Sequence, residues 1–484
     1  MRWVGRPLPR YEDRSLLLGR GRYTVDLARG ARKLRFVRSP VACGRILTVN
    51  APPEVPIITA PVLGDINPIC PRLDRPDYVP VAQPILADER VNYVGEPIAA
   101  VIADTAAEAE DLAEQVAVEI AAETPVVTLD EALAHGAPLV HDAAAKNTLI
   151  DARFETPGVA SALAAAQQVV EFTFTSGRQA AVPMETRGAF AAFDAATGRV
   201  TLSASTQMPH LLRTGIADIL GIPESELRVI APEVGGGFGQ KMPLIPEYVI
   251  VVWAARRFAC SVAWIEDRLE NLTASFHARD QRLHLRGAFN ADGRLVALDA
   301  DVLCNIGAYS SFPVTAGVEP LMALADLPGP YRVPEYRARA RGIASNTCPA
   351  ALAEMSARLC WVTATPTPLR FRRSRIFHPA TSQGVRLLQV AARPHRQAGS
   401  NCGPRVAICQ FQHFRQIPSP LSDQGITFGV SYHRNSHKTR HQLCPLTTPE
   451  LTPAQVPSGR SSPSSRNTIQ PSVSSSRVWD CGPS

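Results

Sequence analysis

The chain has 484 residues, 45% of them hydrophobic and 19% charged, with a formal net charge of +6. That length holds two to four domains, and the composition is that of a soluble globular protein able to bury a sizeable core. The ten cysteines are scattered without a C-x-x-C pair, which argues against a zinc ribbon or an iron–sulfur cluster ligated by this chain and is unlike a disulfide framework.

The charge is split along the chain. Residues 1–350 hold 34 Lys+Arg and 40 Asp+Glu, a net of −6, whereas residues 351–484 hold 16 and 4, a net of +12. Met1 to Arg10 lacks the apolar region of a secretory signal. The longest apolar run, Tyr248 to Ala255, is far short of the ~20 residues of a membrane helix. These features lead us to expect a cytoplasmic protein without a membrane span.

Ile98 to Ala103 reads as a buried strand. Thr105-Ala-Ala-Glu108 is a capping box for an Ala- and Glu-rich helix running to about Ile120. Strand followed directly by helix predicts an α/β unit over residues 1–130. A boundary falls between Pro125 and Ala144. Beyond it, Val159 to Val170 reads as a short helix, and Val169 to Phe174 and Gly188 to Phe193 as strands. Thr197-Gly198 predicts a hairpin turn between Phe190–Asp194 and Arg199–Ser203. His210 to Leu220 follows as a helix capped by Gly221, and Leu227 to Ala231 as a strand. Residues 283–304 alternate around Asp292-Gly293, a second hairpin signal. From Ala351 the patterning fades. Arg372, Arg373 and Arg375 cluster, and Ser461 to Ser465 is of low complexity, so 351–484 reads as a basic, disordered tail. Its positive charge would attract nucleic acid, but the arginines are dispersed and no nucleic-acid motif accompanies them.

The most informative segment is Pro232-Glu-Val-Gly235-Gly236-Gly237-Phe238-Gly239-Gln240-Lys241. Four glycines in five residues admit positive φ and let backbone N–H groups converge on an anion. Dinucleotide-binding and P-loop patterns both fail at Gln240, where each requires glycine. By itself the loop is either a tight structural turn or a ligand cradle. Ser205-Thr206-Gln207 lies upstream of it, with a helix and a strand between.

That pairing resembles the molybdenum hydroxylase large subunits, the xanthine dehydrogenase, aldehyde oxidase and carbon monoxide dehydrogenase family. Further segments resemble it in order: Pro9 to Asp13, Leu18 to Tyr23, Tyr93-Val-Gly-Glu-Pro97, Pro183-Met-Glu-Thr-Arg187, Trp264 to Arg268, Asn305 to Tyr309, Pro328 to Tyr331 and Ser345 to Pro349. The resemblance implies an α+β chain. An amino-terminal α/β hammerhead domain (1–130) is followed by the first part of a mixed α/β molybdopterin-binding domain (145–350). It also implies a molybdenum–molybdopterin cofactor in its cytosine dinucleotide form. Gln207 would bond an oxo ligand of the metal, and Gly236, Gly237, Phe238 and Gly239 would contact the cofactor. Iron–sulfur and flavin groups would sit on separate small (2Fe-2S) and medium (FAD) subunits, the large subunits would pair, and the substrate would be a small molecule. Met242 stands where purine-using members carry Glu, which disfavours a purine. Asn305 replaces a commoner Asp.

After Pro349 the resemblance stops. The family's aromatic-Arg-Gly loop, its second molybdenum domain and its late catalytic glutamate have no counterpart in 351–484, where Glu354 and Glu450 lie outside glycine-rich contexts. The expectation is a truncated subunit with weak or no turnover, its cofactor half-site open to water. A non-catalytic fragment is the alternative.

Overall fold

An apolar run with no polar alternation has to be covered on both faces. In the computed structural model, which describes residues 5–313, 316–329 and 331–350, the strand Pro97–Ala103 is buried at every position. It pairs antiparallel with Arg32–Arg38, which in turn pairs in parallel with Val262–Ile265. That second contact joins segments more than 200 residues apart into one seven-stranded sheet. Its order is Leu227–Ile230, Arg199–Ala204, Gly188–Asp194, Val262–Ile265, Arg32–Arg38, Pro97–Ala103, Ile57–Thr59. Helices Pro209–Leu220 and Pro246–Arg257 pack against it, and Leu34, Ile102, Leu202, Ile216, Val249 and Trp264 belong to one continuous core. The hammerhead region and the region that follows therefore share both a sheet and a core. The run Tyr248 to Ala255 is a helix interior of this core, and among the described residues no helix is long and apolar enough to cross a membrane.

A five-stranded sheet, ordered Thr148–Glu155, Glu335–Ala344, Leu295–Gly307, His277–Phe289, Gln168–Ala180, forms the second layer system. Both expected hairpins are present, with Arg199 opposite Asp194 in one and Ala288 opposite Ala297 in the other. Gly221 caps its helix in the left-handed conformation. The fold is mixed α+β, as expected. The tail expected to be disordered lies outside the described residues.

Two boundaries differ from expectation. The Thr105 hydroxyl accepts the Glu108 N–H at 3.1 Å, but the helix it caps is only Ala106–Ala113. Instead of continuing to Ile120, the chain forms the strand Ala117–Ala122 against Gly44–Asn50. Val118 and Ile120 alternate with Ala117 and Glu119, and β-branched residues suit a strand once a partner edge is present. Likewise the helix from Val159 stops at Ala165, because the following residues join the long strand Gln168–Ala180.

Arg38 connects the two regions. Its guanidinium lies 2.7 Å from both Glu247 and Glu270, and it donates to the Gly95 carbonyl at 3.1 Å. Burial alone would lower the Arg38 pKa, but Glu270 and Glu247 outweigh it and hold the group above the usual arginine range. Replacing Arg38 by Met would take the ion-pair partner from buried Glu247 and leave Glu270 with Arg35 alone, at 3.4 Å, and breaking a buried pair in this way costs about 3–5 kcal/mol. Denaturant unfolding of Arg38→Met should show a loss of this order. A loss below about 1 kcal/mol, the level of a surface pair, would contradict the assignment.

A second junction surrounds Glu96. Its carboxylate accepts the Asn92 N–H at 2.5 Å, Asn92 Nδ2 donates to the Tyr309 hydroxyl at 2.7 Å, and Asn346 donates to the Asn92 carbonyl at 3.1 Å. Burial pushes Glu96 up to about 7 from an ordinary 4.5, against the hydrogen bonds from Asn92 and Tyr309. The folded chain therefore holds this proton more tightly than the unfolded chain does. Its contribution to stability declines as pH rises from about 4.5 to about 7 and is constant above. Glu96→Gln cannot ionise. Between about pH 5 and about pH 8 it should gain stability relative to the parent in paired unfolding curves, and parallel pH profiles would contradict this.

Candidate functional site

Arg199–Ala204 and Leu227–Ile230 are adjacent parallel strands, with Val200 opposite Leu227 and Ser203 opposite Ile230. Their carboxyl ends emerge side by side, the position at which α/β sheets place ligands. The first strand leads into Ser205-Thr206-Gln207 and the second into the glycine-rich loop. The register brings them together. The Gln207 N–H donates to the Lys241 carbonyl at 2.9 Å, and the Gly239 N–H donates to Gln207 Oε1 at 3.1 Å.

Three consequences follow for the loop. A backbone N–H can only donate, so the amide atom facing Gly239 is the oxygen of Gln207, and its Nε2 carries two donors on an exposed side chain. At Gly237 a Cβ would lie 2.5 Å from Gln207 Cδ, so a side chain there would push the Gln207 amide from its place. Gly236 and Gly239, with φ of +95° and +83°, provide the bends, and Phe238 between them is held at +53° and is 46% exposed. The Gly236 N–H is used by Val234 and that of Gly239 by Gln207, whereas those of Gly237 and Phe238 have no hydrogen bond among the described residues. Among the described residues, Gln207 Nε2 and the N–H groups of Gly237 and Phe238 are thus donors without a hydrogen bond, gathered in one loop contact.

Behind the loop lies a largely buried set of charged and polar residues. Glu185 Oε2 accepts the Gly235 N–H at 2.8 Å and the Lys241 ammonium at 2.7 Å, and its own N–H donates to the Gly235 carbonyl at 3.1 Å. Gln240 donates to Ser275 Oγ at 2.6 Å and accepts from Asn271 at 3.3 Å. Asn271 also donates to Glu266 at 2.7 Å, and Glu266 forms a fully buried ion pair with Arg187. The segments Pro183 to Arg187 and Trp264 to Arg268 therefore lock together. Thr186 donates to the Glu266 carbonyl at 2.6 Å and Arg268 to the Pro183 carbonyl at 2.6 Å.

All five residues singled out from the sequence, Gln207, Gly236, Gly237, Phe238 and Gly239, lie within this one constellation. Sequence reasoning missed Glu185 and Lys241. The available signal was a lysine two residues after the last glycine and a glutamate within a segment already noted. Both contribute through a contact that only the fold creates.

The chain matches two family models, the aldehyde oxidase and xanthine dehydrogenase a/b hammerhead domain over residues 18–124 and the molybdopterin cofactor-binding domain over 140–353. It is 36% identical to the nicotine 6-hydroxylase large subunit of Paenarthrobacter nicotinovorans, over 72% of this chain and 43% of that one. It is 30% identical to the carbon monoxide dehydrogenase large chain of Hydrogenophaga pseudoflava, over 71% and 44%. Among solved structures, quinoline 2-oxidoreductase from Pseudomonas putida 86 superposes with a TM-score of 0.68 at 34% identity, over 73% of this chain and 48% of that one. The chain spans less than half the length of each of these relatives.

The glycine contacts separate local fit from fold stability. At Gly237 an added Cβ meets the far end of the exposed, flexible Gln207 side chain, whereas at Gly235 it meets Glu185 Cβ at 2.6 Å. Gly237→Ala should cost less than about 1 kcal/mol yet release the Gly239 amide to faster hydrogen exchange, while Gly235→Ala should cost about 1–3 kcal/mol. Equal losses, or an unchanged Gly239 amide in Gly237→Ala, would contradict the packing described.

Proposed function

The chain belongs to the molybdopterin-binding large-subunit family of xanthine dehydrogenase and carbon monoxide dehydrogenase type, and on that premise we propose that Gln207 and residues 236–239 form one wall of its cofactor site. The observation that carries this reading is the set of donors at Gly237 N, Phe238 N and Gln207 Nε2 that have no hydrogen bond among the described residues, beside glycines that leave no side chain in the way. A molybdenum–pterin group is rich in acceptor oxygens and fits such a wall. Gly237 and Phe238 would donate to the pterin, Gln207 Nε2 to an oxygen at the metal, and Gly236 and Gly239 would fix the loop's shape. The cofactor, in its cytosine dinucleotide form, would supply two-electron redox chemistry for hydroxylating an aldehyde or an N-heteroaromatic carbon. Electrons would leave to a 2Fe-2S small subunit and an FAD medium subunit, in a cytoplasmic complex built on paired large subunits. Residues 1–130 would serve as the hammerhead and 145–350 as the first cofactor domain.

The chain's own groups argue against turnover by residues 1–350 alone. Glu185, the carboxylate set against the loop, takes Lys241 and the Gly235 N–H on Oε2, and its Oε1 is buried without a hydrogen-bond partner among the described residues, so it is the counter-ion of a buried lysine rather than an open, solvent-facing base. A base contributes about 10²–10⁴-fold in such chemistry. The family that the chain resembles uses a late glutamate as base, and because 351–484 offers no counterpart we infer that this chain does not supply it.

The test is metal and pterin content of the full chain, purified from a host that makes molybdopterin cytosine dinucleotide. The parent should carry both, and Gln207→Ala should lower molybdenum per chain about 10-fold with an unchanged melting temperature. Dye reduction by aldehydes or N-heteroaromatics should be absent from the chain alone. A folded parent carrying neither molybdenum nor pterin would overturn the cofactor reading, and turnover by the chain alone would overturn the placement of the base.

A further inference from the structure

We propose that Glu185 and Lys241 are a positioning pair that sets the conformation of the glycine loop, so that cofactor retention depends on an ion pair held behind the loop. The inference rests on the cofactor reading above for its ligand, but not for its geometry. Four glycines in Gly235–Gly239 have the greatest conformational freedom a backbone can have and offer no side chains by which packing could hold them. Their shape has to be imposed from the loop's ends.

Glu185 does this at both ends. Its backbone N–H and its carboxylate grip Gly235 together, at 3.1 and 2.8 Å, and the same carboxylate oxygen takes the Lys241 ammonium at 2.7 Å. Lys241 passes the constraint on, since its carbonyl accepts the Gln207 N–H at 2.9 Å. One carboxylate thereby fixes the entry of the loop, its exit and the residue that faces it. Glu185 is anchored in turn, because Arg268 donates to the carbonyls of both preceding residues, Pro183 and Met184, at 2.6 and 3.2 Å.

The Lys241 side chain is fully buried. Burial lowers its pKa, and Glu185 works against that shift. Without the carboxylate, the ammonium would be a buried charge lacking its counter-ion, or would lose its proton. Either change releases the loop's exit.

The experiment compares the full chain with Glu185→Gln, Lys241→Met and the double variant. Two quantities are read: hydrogen exchange of the bonded loop amides of Gly235, Gly236 and Gly239 without cofactor, and molybdenum and pterin per chain. Each single variant should speed loop exchange about tenfold or more, the effect of losing a charged hydrogen bond. Molybdenum content should fall about 10–100-fold, and the double variant should be no worse than the weaker single, as for groups acting as a unit. Exchange in the remote strand Pro97–Ala103 should not change. Unchanged loop exchange in the single variants overturns the proposal. So does a rise in exchange that extends equally to Pro97–Ala103, which would mean a general loss of stability. If the parent holds no molybdenum but the variants still speed loop exchange selectively, the positioning role stands and the cofactor reading fails. Should Glu185→Gln not fold, Glu185→Asp keeps the charge but withdraws it, and the same selective rise in loop exchange is expected from it.

Discussion

The arrangement depends on one buried ion pair, Arg187 with Glu266. Arg187 precedes the strand Gly188–Asp194 and Glu266 follows Val262–Ile265, and the two strands meet with Ile265 opposite Gly188. Arg187 is satisfied from several sides. Its N–H donates to Glu266 Oε2 and its Nε to Oε1, both at 2.9 Å, and its guanidinium lies 5.6 Å from the Trp264 ring centroid. Burial would lower its pKa, but Glu266 and Glu247 outweigh it and raise it. Such a pair contributes little net stability compared with apolar packing, but removing one partner is costly, so it fixes geometry more than it adds free energy. From Glu266 the hydrogen bonds run through Asn271 and Gln240 to Ser275, which ties the exit of the glycine loop to the middle of the sheet.

The sheet sets what this network can hold. Because Val262–Ile265 pairs with Arg32–Arg38, the amino-terminal region is part of the scaffold beneath the site. Arg38 reaches Glu247 and Glu270 across that junction, and Arg35 reaches Asp267 at 2.6 Å. The helix Arg268–Ala274 that carries Glu270 also carries Asn271. Hammerhead, sheet and loop are thus linked by a short series of buried polar contacts. Fully satisfied networks of this kind favour a single arrangement, which suits a loop whose own sequence specifies none.

What was legible in the sequence was local. Asp292-Gly293 and Thr197-Gly198 mark turns whose geometry is decided within a few residues, and Gly221 ends its helix for the same reason. Gln207 and the glycine loop were legible as a spaced pair, because the intervening helix and strand return the chain to a parallel neighbour. The strand Ala117–Ala122 was not, since its alanines and glutamate favour a helix until Gly44–Asn50 offers an edge. Asn305 shows the same limit. Its Nδ2 donates to Asp280 at 2.8 Å and to the Val127 carbonyl at 3.0 Å, while its Oδ1 accepts from Gly307 and Ser345. An aspartate there would set two carboxylates against each other, a reason visible only once Asp280 is in place. Glu185 and Lys241, 56 residues apart, belong to this class too.

The most direct measurement of the central claim is amide hydrogen exchange at Gly237 and Phe238 with and without molybdopterin. Neither N–H has a hydrogen bond among the described residues, so cofactor binding should protect both, with smaller changes at Gly236 and Gly239, whose N–H groups are already bonded. Exchange at Gly237 and Phe238 that is unaffected by bound cofactor would contradict the claim that this loop is the cofactor's wall.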